Sequence, residues 1–145
     1  MKITIDTNIF INVKEEEVPF FEYSSKLLNA IEDGQLKAVV SIITIAELCV
    51  GYYNINKLKE KDEYLSYIYS QDNYTIVNLD RVLADQSAKI RCETNLRLPD
   101  SIIVATSLQE KAFGLISNDG KFDRAEEFVT ICTSEEFYKK YLSSK

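Results

Sequence analysis

Residues 3–11, ITIDTNIFI, decide how the fold is read. The chain opens as a buried strand over residues 2–6, then stops at an acid, Asp6, followed by two small polar residues before turning apolar again. An Asp at such a junction caps a following helix, here one begun by TNIFI, with Asn8 placed to orient the carboxylate or to bond the turn. The same acid sits at the tip of a strand, where α/β folds place their chemistry.

Outward from this stretch the apolar pattern alternates in type. Residues 20–33 read as a helix closed by Gly34, 37–42 as a strand and 43–54 as a helix. Over 56–71 the pattern sets Leu58, Leu65, Ile68 and Tyr69 on one helical stripe, and 74–79 is a further strand. Asp80 caps a helix over 81–95, and Pro99-Asp100 opens another through about Lys111, with Gly114 as a stop signal. Residues 114–117 form a short strand, 118–121 a turn, 128–132 a last strand, and Ser134 begins a C-terminal helix. Strands separated by helices point to an α/β fold, a parallel sheet with helices on both faces.

At 145 residues, with an apolar fraction of 46% and a charged fraction of 28%, the chain has the size and composition of one globular domain, taken as residues 1–145. No apolar run approaches the roughly 20 residues that span a bilayer, so a soluble, cytoplasmic protein is expected. Cys49, Cys92 and Cys132 stand far apart without CxxC spacing and read as small core residues in a reducing compartment. The net charge of −6 argues against a general basic grip on long nucleic acid. The absence of histidine excludes serine–histidine and cysteine–histidine catalysis and histidine-ligated zinc, leaving carboxylates to carry chemistry.

Four carboxylates stand out. Glu47, inside ITIAELCVGYY, has apolar neighbours on both sides, so the helix should be largely covered and the charge compensated by a lysine, an arginine or a divalent cation. Asp100 falls in the first turn of a helix so apolar (Ile102, Ile103, Val104, Ala105, Leu108) that it must be buried, which places the acid at the edge of the core. Asp119 in ISNDGKF lies just past a strand, in a sequence that is also ordinary turn chemistry. In a doubly wound sheet Asp6, Glu47, Asp100 and Asp119 can converge on one crevice. Carboxylates held together call for a hard cation with oxygen ligands, Mg²⁺ or Mn²⁺.

These motifs, IDTNIFI, TIAEL, LPDSIIVATSL and LISNDGKF, occur in an order that resembles the PIN domain, in particular the small VapC-like toxin ribonucleases of toxin–antitoxin pairs. The resemblance implies a three-layer α/β/α fold around a central parallel sheet of four to five strands. It further implies Mg²⁺- or Mn²⁺-dependent endonucleolytic cleavage of RNA, a small antitoxin partner and a homodimer. Asp6, Glu47, Asp100 and Asp119 match its catalytic, metal-holding acids, and Asn8 and Ser117 its supporting polar positions. Where many such proteins carry a further acid two residues beyond the fourth, this chain has Lys121, with Asp123 out of register, so a second metal site is expected to be weak or absent.

For substrate phosphates the candidates are Lys14, Lys57, Lys59, Lys61, Lys89 and, ahead of them, Arg91 and Arg97, which precede the Asp100 motif. Tyr52, Tyr53, Tyr64, Tyr67 and Tyr69 are assigned by the resemblance to the helical clamp that meets an antitoxin and a partner subunit. A haloacid-dehalogenase phosphatase would need an acid where Asn8 stands, and a response-regulator receiver would need paired acids at the first strand. The remaining alternative is a PIN-fold binding module without catalysis, in which Lys121 neutralises the acids in place of a metal.

Overall fold

The structure, a computed structural model, describes residues 1–143. Five strands, β1 (Lys2–Ile5), β2 (Lys37–Ser41), β3 (Tyr74–Val77), β4 (Leu115–Ile116) and β5 (Ile131–Cys132), form one sheet in the order β3-β2-β1-β4-β5, every pairing parallel. Helices α1 (Thr7–Lys14), α2 (Phe21–Glu32), α3 (Ile42–Asn54), α4 (Leu58–Ser70), α5 (Arg81–Thr94), α6 (Leu98–Gln109) and α7 (Ser134–Phe137) connect or follow them. Among the described residues no helix is long and apolar enough to cross a membrane.

Strand alternation divides the interior in two. Ile3 and Ile5 of β1, Ala38 and Val40 of β2 and Ile116 of β4 pack with Leu27 and Ile31 of α2, Ile45 and Leu48 of α3 and Phe137 of α7. On the opposite face Leu115 packs with Leu83 and Ile90 of α5 and Ile103 and Val104 of α6. Thr4, which alternation turns toward α6, satisfies its buried hydroxyl on Ser107 Oγ at 2.9 Å. The expected α/β architecture with a central parallel sheet is present, with five strands.

Several local expectations change. The last two strands keep only two residues each; Phe128 and Val129 still pack against the core beside α5 and α6 but lie outside the ladder. On α4 only Ile68 is fully buried, while Leu58 and Tyr69 are exposed. Tyr69 lies about 100° around the helix from Ile68, and Leu58 sits in the first turn. Cys92 is exposed on α5 and Cys49 and Cys132 are half-buried, so none is a fully buried core residue. The left-handed residue just past α6 is Lys111, at φ 53°, not Gly114. Gly114 is needed for another reason: a Cβ there would lie 2.8 Å from the Thr130 carbonyl oxygen, where the backbones leading into β4 and β5 approach.

Candidate functional site

The strand order turns around at β1, with β2 on one side and β4 on the other, so the carboxyl ends of β1 and β4 lie side by side at the place where such sheets bind ligands. Asp6 follows β1 and Ser117 follows β4. Asp6 caps α1: its Oδ1 accepts the Thr7 N–H at 2.8 Å, and its Oδ2 accepts the Ser117 hydroxyl at 2.8 Å. The carboxyl is 2% exposed. Burial pushes it up from 3.8 to about 6, against the lowering pull of the Ser117 hydroxyl, the Lys121 ammonium and the Thr7 N–H, while the Asp100 charge adds to the rise.

Asp100 enters from α6, whose first turn also holds Pro99, and is equally buried. Its Oδ1 lies 3.2 Å from Lys121 Nζ, and its Oδ2 lies 3.4 Å from Arg97 Nε. Lys121 Nζ also lies 3.3 Å from Asp119 Oδ2. Asp119 caps the short 3₁₀ helix Gly120–Ala125 by accepting the Lys121 N–H at 3.0 Å, so one turn sets both the acid and the lysine that pairs with it. Burial pulls the Lys121 ammonium down, but the charges of Asp6, Asp100 and Asp119 outweigh it and hold the pKa above the ordinary lysine value.

Glu47 is reached differently. Thr7 Oγ1 donates to Glu47 Oε1 at 2.6 Å, and the same hydroxyl lies 2.9 Å from Thr44 Oγ1. The carboxylate is half-buried and accepts a hydroxyl, and among the described residues no lysine or arginine pairs with it. The supposed cover over α3 is also incomplete, since Ala46 and Val50 are exposed. Less desolvation means that Glu47 needs less charge compensation.

The polar residues around the acids form one connected network. Asn8 Nδ2 donates to Ser117 Oγ at 3.3 Å, and Ser117 Oγ also accepts the Asp119 N–H at 3.0 Å. Sequence reasoning treated Asn118 as a turn residue, but its amide donates to Asn12 Oδ1 at 2.9 Å and Ser24 Oγ at 3.0 Å, and its Oδ1 accepts the Ser134 N–H at 3.0 Å. It therefore ties the loop after β4 to α1, α2 and α7. The role of Thr7 was missed as well; Asx and Thr residues at such junctions read as local caps, and nothing in their spacing reveals a long-range partner.

Of the two candidate arginines, Arg97 stands at the site with its side chain 71% exposed, whereas Arg91 donates to Asn95 Oδ1 at 2.8 Å beside the end of α5. Lys14 lies over the Tyr52 ring, and Lys61 donates to the Tyr53 hydroxyl.

Among the described residues no three acidic or cysteine side chains are gathered closely enough to hold a metal ion between them. Lys121 stands between Asp100 and Asp119. The donor set still fits a hard divalent cation: it is all oxygen, and the buried Asp6 receives only neutral donors on its two oxygens. Asp6 and Asp100 are the buried acids that could hold such an ion.

Residues 3–127 match the family model of the PIN domain. The chain belongs to the PIN domain family. Among solved structures this PIN chain resembles one from a toxin–antitoxin complex of Klebsiella pneumoniae, at 24% identity and TM-score 0.68, covering 91% of this chain and 97% of that one. It also resembles VapBC2 from Rickettsia felis bound to a promoter DNA fragment, at 19% identity and TM-score 0.70, covering 92% and 98%. A third is the sarcin–ricin-loop cleaving toxin VapC20 of Mycobacterium tuberculosis, at 13% identity and TM-score 0.70, covering 88% and 96%. These likenesses establish a VapC-like PIN fold. No curated protein matches the sequence.

Proposed function

We propose that the chain is a metal-dependent endoribonuclease, a single PIN nuclease domain over residues 1–145 that acts as the toxin of a toxin–antitoxin pair. The observation that carries this reading is the convergence of Asp6, Asp100 and Asp119 at the point where the strand order turns around. The toxin–antitoxin complexes among the structural neighbours support a small antitoxin as partner. The sarcin–ricin-loop cleaving toxin supports RNA as substrate.

When bound, Mg²⁺ or Mn²⁺ supplies Lewis acidity that activates water and steadies charge on the scissile phosphate. Asp6 and Asp100 would hold it, with Glu47 and Asp119 completing the acidic set. Ser117 fixes the Asp6 carboxylate from one side and the Thr7 N–H fixes it from the other. Arg97, exposed beside Asp100, offers its guanidinium to a backbone phosphate, whereas Arg91 is engaged at its own helix end. The cleft of about 290 Å³ next to Asp119 is walled by Asp123, Glu126 and Glu136 and repels phosphate, so RNA approaches on the Arg97 side. Exposed Tyr53 and Tyr69, with Val50 and Leu58, supply the contact of the α3–α4 pair with antitoxin or a second copy of the chain in a cytoplasmic homodimer.

The ion pairs of Lys121 favour one competing reading, a PIN-fold binding module whose acids are neutralised internally. Incubating a mixed RNA pool with purified protein in Mn²⁺, Mg²⁺ or EDTA, beside Asp100→Asn, separates the two. Metal-dependent cutting that the variant loses supports the nuclease. No cutting, with no Mn²⁺-dependent rise in melting temperature, supports the binding module.

A further inference from the structure

Lys121 has no part in the mechanism above, yet its ammonium pairs with two of the acids, Asp100 and Asp119, whereas Arg97 reaches Asp100 alone. Its ammonium is 3.2 Å from Asp100 Oδ1 and 3.3 Å from Asp119 Oδ2, and its side chain is 33% exposed. The position is built. The Lys121 N–H is held by Asp119 Oδ1, and the ammonium lies 5.2 Å from the centroid of the Phe122 ring, itself fully buried. A lysine so anchored at both ends of its stem is not a freely swinging surface charge.

We propose that the Lys121 ammonium is the site's built-in second cation, filling the place between Asp100 and Asp119, so that the protein binds one divalent ion and not two. This rests on the metal-dependent reading above and specifies it. The charges acting on Lys121 are those of Asp6, Asp100 and Asp119. The four acids Asp6, Glu47, Asp100 and Asp119 are balanced by the Lys121 ammonium, the Arg97 guanidinium and one divalent ion, whereas a second divalent ion would leave two positive charges in excess. Asp6 and Asp100 are buried, so such an excess is unfavourable beside them, and a second ion between Asp100 and Asp119 could enter only by displacing Lys121 from both carboxylates. Asp6, whose oxygens meet only neutral donors, is left as the carboxylate for the divalent ion, shared with Asp100.

The test is a count of bound Mn²⁺ by electron paramagnetic resonance on the full chain, with the wild type, Lys121→Ala, Lys121→Gln and Lys121→Arg compared. The expected result is one ion for the wild type and Lys121→Arg, and two for Lys121→Ala and Lys121→Gln. In EDTA, Lys121→Ala melts below the wild type, and saturating Mn²⁺ narrows the gap. Far-UV circular dichroism establishes that each variant is folded, and Lys121→Gln, which keeps part of the stem and a neutral donor, serves if Lys121→Ala is not. One ion in every variant, or two in the wild type, overturns the inference while leaving the metal-dependent reading intact. No Mn²⁺ bound by any of them overturns both.

Discussion

The Ser117 hydroxyl donates to Asp6 Oδ2 across 2.8 Å, joining two residues that lie 111 positions apart in the chain. It is a side-chain tie between the carboxyl ends of β1 and β4, and Ser117 Oγ also accepts the Asp119 N–H at 3.0 Å. Ser117→Ala therefore releases two acids at once. At neutral pH the variant should lose about 1–3 kcal/mol, as expected for a hydrogen bond to a buried charge. Cleavage should fall by about 10- to 100-fold, the usual scale for residues that orient metal ligands. Urea unfolding and RNA cleavage measure the two effects; an unchanged cleavage rate would remove Ser117 from the positioning role.

Asp6 makes the metal-free protein sensitive to pH in a definite direction. Burial raises its carboxyl from 3.8 to about 6, so the folded state holds the proton more tightly than the unfolded chain does. Below the unfolded value both states are protonated and Asp6 contributes no difference. Stability then falls as pH rises between about 4 and 6, by about 1.4 kcal/mol per pH unit, and levels off above the folded value. Asp6→Asn has no such proton to lose. In EDTA it should lack this descending limb and be the more stable protein at pH 7.5, by about 1–3 kcal/mol, after the loss of its charge-assisted hydrogen bonds is counted. Parallel stability profiles for the two proteins between pH 4 and 7 would contradict the assignment.

What was legible in the sequence was whatever is set locally. The strand–acid–helix junction at Asp6, the Asp80 cap and the first-turn placement of Asp100 each depend on a few adjacent residues, and the structure has all three. The hold of Thr7 on Glu47 and of Asn118 on Asn12, Ser24 and Ser134 was not legible, because each joins residues brought together only by the completed sheet. Lys121 lies between these cases. Its identity was visible as a departure in DGKF, but its contact with Asp100 comes from two distant elements. Exposure was read least well: helical periodicity gives the direction of a side chain, not how far along a helix its cover extends, as Leu58 shows.

Gly114→Ala tests how tightly the edge of the sheet is set. The added Cβ would meet the Thr130 carbonyl oxygen at 2.8 Å and Thr130 Cβ at 3.2 Å, and the first of these belongs to backbone that receives the Leu115 N–H. The two backbones must separate, at a cost of about 1–3 kcal/mol typical of overpacking. Because Ser117 and Asp119 follow directly from β4, the strain should also weaken Mn²⁺ binding. Melting temperature and a Mn²⁺ titration report the two effects; a variant as stable as the wild type would show that the edge yields freely.

Thr7 is the side chain through which Glu47 is connected to the Asp6 junction, and Thr7→Val asks whether that connection matters. Valine fills the buried space but leaves Glu47 and Thr44 without their shared hydroxyl, so the variant should be about 1–2 kcal/mol less stable. Cleavage decides the functional point. If Thr7 acts by aiming Glu47, Thr7→Val and Glu47→Gln remove the same contribution, and the double variant should be no slower than Glu47→Gln alone. Independent effects would instead multiply, since energies of uncoupled sites add. A double-mutant cycle on the cleavage rate at fixed Mn²⁺ therefore separates a positioning role from simple packing, and a multiplicative result would leave Thr7 only its N–H bond to Asp6.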